Sequence, residues 1–496
     1  MKIRIILICI ASALLLISCA RQAKEDAIFS VTELPRVEAT TVEPISPNGI
    51  FELEAKIVRK EINGKEIRMF GYNGQIPGPV LKVKQNSNVT IKFRNSLDLP
   101  TTVHWHGILL ENKYDGVPNI TQPEIAPGQT FSYELRFPHE GIYWYHPHIR
   151  EDLQQEYGLY GSILVEPANF STDFDKDEIL FFDDLWIEDG DLSFLPDKAT
   201  HALMGRFGNV LLVNGKTNYS LTIEKGEILR LYLIDSANTR MFNFSIEGTK
   251  FRVVGGDASF YEKEFLSDSV VLGPGERAIV DVIFTHPGAY KLMNQIPQKT
   301  YALGIINVID SSLMPKNLTL KLNTEVSRGM QEVKQYINAS PDFTFDLSVD
   351  LPAMKDHSMR GDDGEDIEWE DTMPAMNAVS TSKNTKWILR DRATGKENMD
   401  ATHQVKKGEI KKIRFYNDPK STHPMQHPLH LHGQRFILIA EDGKINDNLV
   451  WKDVVVVPKG KTVDIIVEFT NPGHWMFHCH IAEHLEAGMM TVFEVS

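Results

Sequence analysis

Between residues 463 and 469 the chain reads Val463-Asp464-Ile465-Ile466-Val467-Glu468-Phe469, and Tyr133-Glu134-Leu135-Arg136-Phe137 shows the same near-alternation of apolar and polar positions. A period of two turns one face of an extended segment toward a core and the other toward water, so both segments are predicted as half-buried strands between Gly/Pro turns. The pattern belongs to a larger repeat. Ala126-Pro127-Gly128 leads through one such strand to Gly141-Ile142-Tyr143-Trp144-Tyr145-His146-Pro147-His148. Gly273-Pro274-Gly275 leads in the same way to Gly288-Ala289-Tyr290-Lys291-Leu292-Met293-Asn294-Gln295, and Lys459-Gly460 leads to Gly473-His474-Trp475-Met476-Phe477-His478-Cys479-His480. In every copy the two glycines are 13 residues apart. Upstream, Gly107, Gly248 and Gly433 each close a strand and are preceded by His104 and His106, Ser245 and Glu247, and His430 and His432. Three copies of one β-unit are therefore expected, the middle copy keeping the frame without the histidines.

The 496 residues, 42% of them hydrophobic, are enough for several cores, since one core rarely grows past about 250–300 residues. A formal net charge of −15, with no Lys/Arg stripe interleaved with aromatics, argues against nucleic acid as a partner. At the start, Lys2 and Arg4 precede an apolar run from Ile5 to Ile17 and then Ser18-Cys19, the order of an export signal too short to span a bilayer. Leu16-Ile17-Ser18-Cys19 also resembles the bacterial lipobox, in which cleavage before the cysteine is coupled to its lipidation; a simple cleaved signal with Cys19 incidental is the plainer alternative. The lipobox reading makes the chain a membrane-anchored lipoprotein of a bacterial cell envelope or periplasm. Cys9 would leave with the signal, and the remaining Cys19 and Cys479 would form no disulfide.

Of the 17 histidines, ten lie in four short clusters: His104 and His106; His146 and His148; His427, His430 and His432; and His478 and His480 around Cys479, running on to His484 and Met489. One His-x-His pair is weak evidence for a metal, because a hydrogen-bonded core histidine is the commoner case. Four pairs in register with a structural repeat point to metal held by the first and third copies where they face each other. Structural zinc fits poorly, because such sites are closed tetrahedra of a few local ligands. On a strand, His478 and His480 share a face about 7 Å apart while Cys479 points to the other, so one tripeptide can serve two sites.

In these motifs and their order, residues 45 to 496 resemble the multicopper oxidases, closest to bacterial periplasmic cuprous oxidases and laccase-like copper-resistance proteins. The resemblance implies an all-β chain of three consecutive cupredoxin-like Greek-key barrels: a lipoprotein signal at 1–18, a linker at 19–45, domain 1 at 46–170, a ligand-free domain 2 at 171–312, and domain 3 at 313–496. It implies four copper ions. His427, Cys479 and His484 would form the type 1 site, with Met489 the axial methionine by position and Met490 the alternative. His104 and His430 would hold the type 2 copper, and His106, His146, His148, His432, His478 and His480 the type 3 pair. Electrons from one-electron donors would enter at a type 1 copper near the surface and pass through Cys479 to His478 and His480, four of them reducing O2 to water. Asp115, in Asp115-Gly116-Val117-Pro118, matches an acid that the family uses as a proton donor, although an Asp before Gly is also an ordinary turn. Bacterial relatives often carry a Glu directly after the last type 1 histidine. Leu485 stands there, flanked by Glu483 and Glu486.

The acid-rich stretch 351–377 carries Met354, His357, Met359, Met373 and Met376. Thioethers select Cu(I), and in so polar a segment the methionines have no evident core to fill; a solvated loop is the alternative reading. Met425 sits where cuprous oxidases of the family place a substrate-copper ligand, and His423 where they place an acid. Oxidation of Cu(I) in copper tolerance is thus the leading expectation. A laccase-like oxidase of phenols, Fe(II) or Mn(II) comes next, and a copper-free envelope binding protein of the same fold is disfavoured by the complete ligand set.

Overall fold

The computed structural model of the chain describes residues 31–167, 173–195, 197–351 and 365–496. The segment Asn88–Ser96 illustrates why the strands form: Val89, Ile91 and Phe93 are buried while Asn88, Lys92 and Arg94 face solvent, the two-residue period of a sheet with one wet face. Such strands assemble into pairs of packed sheets in three consecutive groups. The first pairs a four-stranded sheet (Lys65–Tyr72, Gly49–Ile62, Asn88–Ser96, Thr130–Arg136) with a five-stranded one (Val42–Pro44, Val80–Lys84, Gly161–Glu166, Gly141–His146, His104–His106). Residues 176–309 form a six- and a five-stranded sheet, and residues 343–495 a seven- and a five-stranded sheet. The chain is thus all-β, in three successive two-sheet units.

The repeat reappears in the strand register. His104 lies opposite His146, His430 opposite His478, and in the middle unit Ser245 opposite Met293. Backbone conformation repeats as well: the turn glycines Gly128, Gly275 and Gly460 have φ of 79°, 86° and 76°, a left-handed geometry that a side chain would oppose. The first and third units share one continuous apolar core, into which Ala202, Leu203, Met204 and Phe207 of the middle group are inserted. The barrel of the middle unit has a core of its own around Leu231, Phe244 and Val280. The histidine-bearing strands His104–His106 and His427–Leu431 therefore meet at the join between first and third units.

Candidate metal centre

Cys479 ends the strand Gly473–Cys479, His427 begins the strand His427–Leu431, and His484 lies in the short helix Ala482–Glu486. Cys479 Sγ is 3.6 Å from His427 Nδ1 and 3.7 Å from His484 Nδ1, and all three residues are fully buried. Two backbone bonds, Cys479 N–H to the Met489 carbonyl and Met489 N–H to the His484 carbonyl, hold the loop around them. Met489 joins the same core as Cys479, whereas Met490 packs with Val117, Met476 and Leu485. Burial pushes the thiol of Cys479 up and lowers His427 to about 3, so a bound cation is what would favour a thiolate here. The donor set is that of a trigonal His₂Cys site with an apolar surround.

The other eight histidines converge on the opposite side of the strand. His432 Nε2 lies 2.9 Å from His478 Nε2, and His430 Nε2 lies 3.4 Å from His104 Nε2. Ligand atoms of His104, His106 and His146, of His104, His430 and His432, and of His148, His432 and His478 each fall within 4.8 Å of one another. His106 Nδ1, His146 Nε2, His148 Nε2 and both ring nitrogens of His480 are buried without a hydrogen-bond partner. Orphaned imidazole nitrogens in a closed cavity call for an electrophile, and neutral imidazole suits copper in both oxidation states. Burial keeps them neutral: His106, His146, His148, His430, His432 and His480 are lowered well below their usual range and His478 to about 4. The residues present therefore fit the copper ions that the resemblance implies.

Two aspartates orient this set in mirrored fashion. Asp115 accepts from His104 Nδ1 on its carbonyl at 2.8 Å and from His432 Nδ1 on its carboxylate at 2.9 Å. Asp453 accepts from His430 Nδ1 on its carbonyl at 2.8 Å and faces His106 Nε2 with its carboxylate at 3.1 Å. Each thus serves one histidine of its own unit and one of the other. Sequence reasoning singled out Asp115 and missed Asp453, whose only linear signal is a charge opening the apolar run 454–457.

Glu151 was missed too. It begins the helix Glu151–Gln154 directly after the His146-Pro147-His148 motif, and its carboxylate is buried without a hydrogen-bond partner. Oε1 lies 3.5 Å from His146 Nδ1 and 3.9 Å from His480 Nε2, and Oε2 lies 3.9 Å from His148 Nε2. Burial first, then Glu486, Asp152 and Glu483, raise its carboxyl well above the usual range. Of the two acids flanking Leu485, Glu483 accepts from Asn238 Nδ2 and Thr239 Oγ1. Burial raises both Glu483 and Glu486 to about 7. The carboxylate facing the histidines comes instead from residue 151, three positions after His148.

His427 and His484 are both fully buried, and the Trp387 ring lies 4.1 Å from His484 and 4.8 Å from His427. Trp387 Nε1 donates to the Ala202 carbonyl, and the segment 199–205 is tied to 377–382 through Met204 N–H to Asn377 Oδ1, Leu203 N–H to Ser380 Oγ and Asn377 Nδ2 to the Gly205 carbonyl. A middle-unit strap thus lies over the pocket. Met373 and Met376 do have a core to fill, contrary to the expectation for this polar segment: both pack partly buried against the core that contains Met204, Met425 and Cys479. His423 is nearly buried, lowered to about 4 by burial, and its Nε2 has no partner. Met354, His357, Met359 and Cys19 lie outside the described residues.

Models of the family described as multicopper oxidase match residues 55–169, 176–310 and 369–496. The chain is 28% identical over 461 residues to a multicopper oxidase (mco) of Staphylococcus aureus, covering 90% of this chain and 88% of that one. It is 25% identical to copper resistance protein A of Escherichia coli, over 88% and 91% of the two chains. A multicopper oxidase structure from Pseudomonas thermotolerans superposes with a TM-score of 0.70 at 25% identity, over 92% of this chain and all of that one.

Proposed function

Because the chain belongs to the multicopper oxidase family, we propose that it couples four one-electron oxidations to the reduction of O2 to water, with Cu(I) as the physiological donor. Four copper ions would be held, one by His427, Cys479, His484 and Met489, one by His104 and His430, and a pair by His106, His146, His148, His432, His478 and His480. Copper in these places would supply one-electron chemistry on one side of the strand and four-electron oxygen chemistry on the other.

The chain's own residues join the two sides. Cys479 is covalently continuous with His478 and His480, and the Cys479 carbonyl accepts a hydrogen bond from His478 Nδ1 at 2.8 Å, a second short connection between the sites. Asp115 and Glu151 stand where protons for oxygen reduction are needed. Asp115 Oδ1 and both Glu151 oxygens are free of hydrogen-bond partners, so each can hold a proton without breaking a bond.

The observation that carries Cu(I) is the burial of both type 1 histidines, with the Trp387 ring against them, in a core that also contains Met204 and Met425 and has Met373 and Met376 packed against it. A phenol ring has no exposed imidazole to touch, whereas thioethers hold a small soft cation well. The similarity to a copper resistance protein supports the same reading. Steady-state rates for Cu(I) and for a phenol test it: Cu(I) should be the better substrate by kcat/KM, and a phenol oxidised faster at equal concentration would make the enzyme laccase-like. The export signal supports a lipid anchor at Cys19 in a bacterial envelope. Cys19→Ala should abolish fatty-acid labelling in a bacterial host, and an unlabelled native chain would refute the anchor.

A further inference from the structure

The middle unit has no ligand histidine, yet it reaches the cluster. Its turn Gly273-Pro274-Gly275 lies against His480: a Cβ built on Gly275 would come within 2.9–3.1 Å of the imidazole ring. Two residues on, the strand Arg277–Ile283 begins. The equivalent strands of the other units begin with Thr130 and Thr462, so at this position of the repeat the middle copy carries a long cation where the others carry a small hydroxyl side chain.

Arg277 is fully buried and every contact it makes is specific. Its Nη1 and Nη2 form a forked ion pair with Asp453, the Nη2 to Oδ2 distance being 2.6 Å. Its remaining donors go to the carbonyls of Ile142 of the first unit at 3.3 Å and of Gly275 and Asp257 of the middle unit at 3.1 and 3.0 Å. Gly107, directly after His106, has no room for a side chain, because a Cβ there would collide with Asp453 Oδ2 and lie 2.7 Å from Arg277 Nη2. Three units thus close on one guanidinium, and the carboxylate that it clamps faces His106 Nε2.

We infer that Arg277 is a positioning residue for the oxygen-reducing centre: it fixes the Asp453 carboxylate so that His106 presents Nδ1, and not Nε2, to the metal. The inference rests on the multicopper oxidase reading above. A carboxylate only accepts, so the nitrogen facing it carries the hydrogen and the opposite nitrogen keeps its lone pair. That opposite nitrogen, His106 Nδ1, is one of the unpartnered buried atoms of the cavity. The other histidines with a ring hydrogen bond to an aspartate, His104, His430 and His432, use Nδ1 for it and leave Nε2 for the cavity. His106 is reversed, and of the four it alone faces a carboxylate that an arginine clamps. A buried ion pair is a poor source of net stability, since desolvation offsets the attraction, and orientation is what the pair contributes.

The test is Arg277→Gln in the full chain loaded with copper, read by copper per chain, by the fraction of that copper visible to electron paramagnetic resonance, in which a coupled Cu(II) pair is silent, and by the visible absorption of the Cys479 site. The expected result is an unchanged Cys479 band, loss of part of the copper or of the paired signature, and copper affinity at the cluster weakened about 10- to 100-fold. Arg277→Lys, which keeps the charge without the fork, should fall between. Arg230→Gln is the control, because Arg230 pairs with Asp281 inside the middle sheet. It should lower Tm and leave the cluster signature intact. Should Arg277→Gln not fold, the double variant Arg277→Met with Asp453→Asn removes both charges and should still lose the paired signature. Full copper with a native signature in whichever variant folds overturns the inference, as does an equal change in Arg230→Gln. A native chain that takes up no copper would refute the functional reading itself and is seen before any variant is made.

Discussion

The two donor sets on either side of the strand Gly473–Cys479 share a tripeptide and are made of opposite materials. On the Cys479 side the Trp387 ring lies against His427 and His484, the core that holds Cys479 also contains Leu203, Met204, Met425 and Met489, and among the described residues no carboxylate hydrogen-bonds to His427, Cys479 or His484. Around the eight histidines stand Asp115, Asp453 and Glu151, all buried. A site that only passes electrons is best left dry, because mobile polar groups would have to reorganise with each change of charge. A site that makes water from O2 must also receive protons, and for that buried acids are required. Even the acids divide the work. Asp453 is locked to Arg277 through both oxygens, whereas Asp115 Oδ1 and both Glu151 oxygens have no hydrogen-bond partner, as the proposed proton carriers require.

Breaking one side should leave the other standing. Cys479→Ser should abolish the intense thiolate-to-copper absorption and turnover together, while copper bound by the eight histidines persists; absorption spectra and metal analysis check this, and a blue, active variant would remove Cys479 from the site. Acid should act chiefly on the histidine cavity of the copper-free protein. Its imidazoles have lowered pKa values in the fold, so their contribution is fully present above the unfolded value of about 6.5 and is lost progressively as pH falls below it, because the unfolded chain binds protons that the folded cavity excludes. Thermal melts from pH 8 to pH 5 should show a steep loss without copper and a shallow one with it.

A narrower cut separates the acids from the electron path. Asp115→Asn should slow O2 reduction about 100-fold and Glu151→Gln about 10-fold, with the Cys479 band unchanged and a flattened pH–rate profile. Equal rates in single-turnover reoxidation by O2 would dismiss both as proton carriers. The mildest change concerns the cover: Met373→Ser with Met376→Ser should raise KM for Cu(I) about 3- to 10-fold, the loss of one or two soft ligands, and leave phenol oxidation equal or faster. Unaltered Cu(I) kinetics at limiting copper would remove these methionines from the substrate path.

Much of this was open to inspection in the chain itself. The 13-residue glycine spacing, the alternation and the His-x-His pairs are short-range patterns, and a strand converts them directly into faces, which is why His104 does lie opposite His146 and His430 opposite His478. The methionines show where such reasoning stops. A polar neighbourhood suggested solvent for Met373 and Met376, but a helix of four residues, Pro374–Asn377, turns them onto a core assembled from distant segments.

Sequence alone determined the fold class, the histidine and cysteine donors and their division between two faces, because each depends on neighbours within a few residues. Only the tertiary structure decided which carboxylates serve them, what lies against His427 and His484 and how a unit without ligands reaches the cluster. His106 meets Asp453 across 347 residues, His432 meets Asp115 across 317, and Arg277 meets Asp453 across 176. No periodicity links positions so far apart. What joins them is the packing of three units around one buried cluster, where a charge or donor that is paired takes its partner from whichever unit lies nearest.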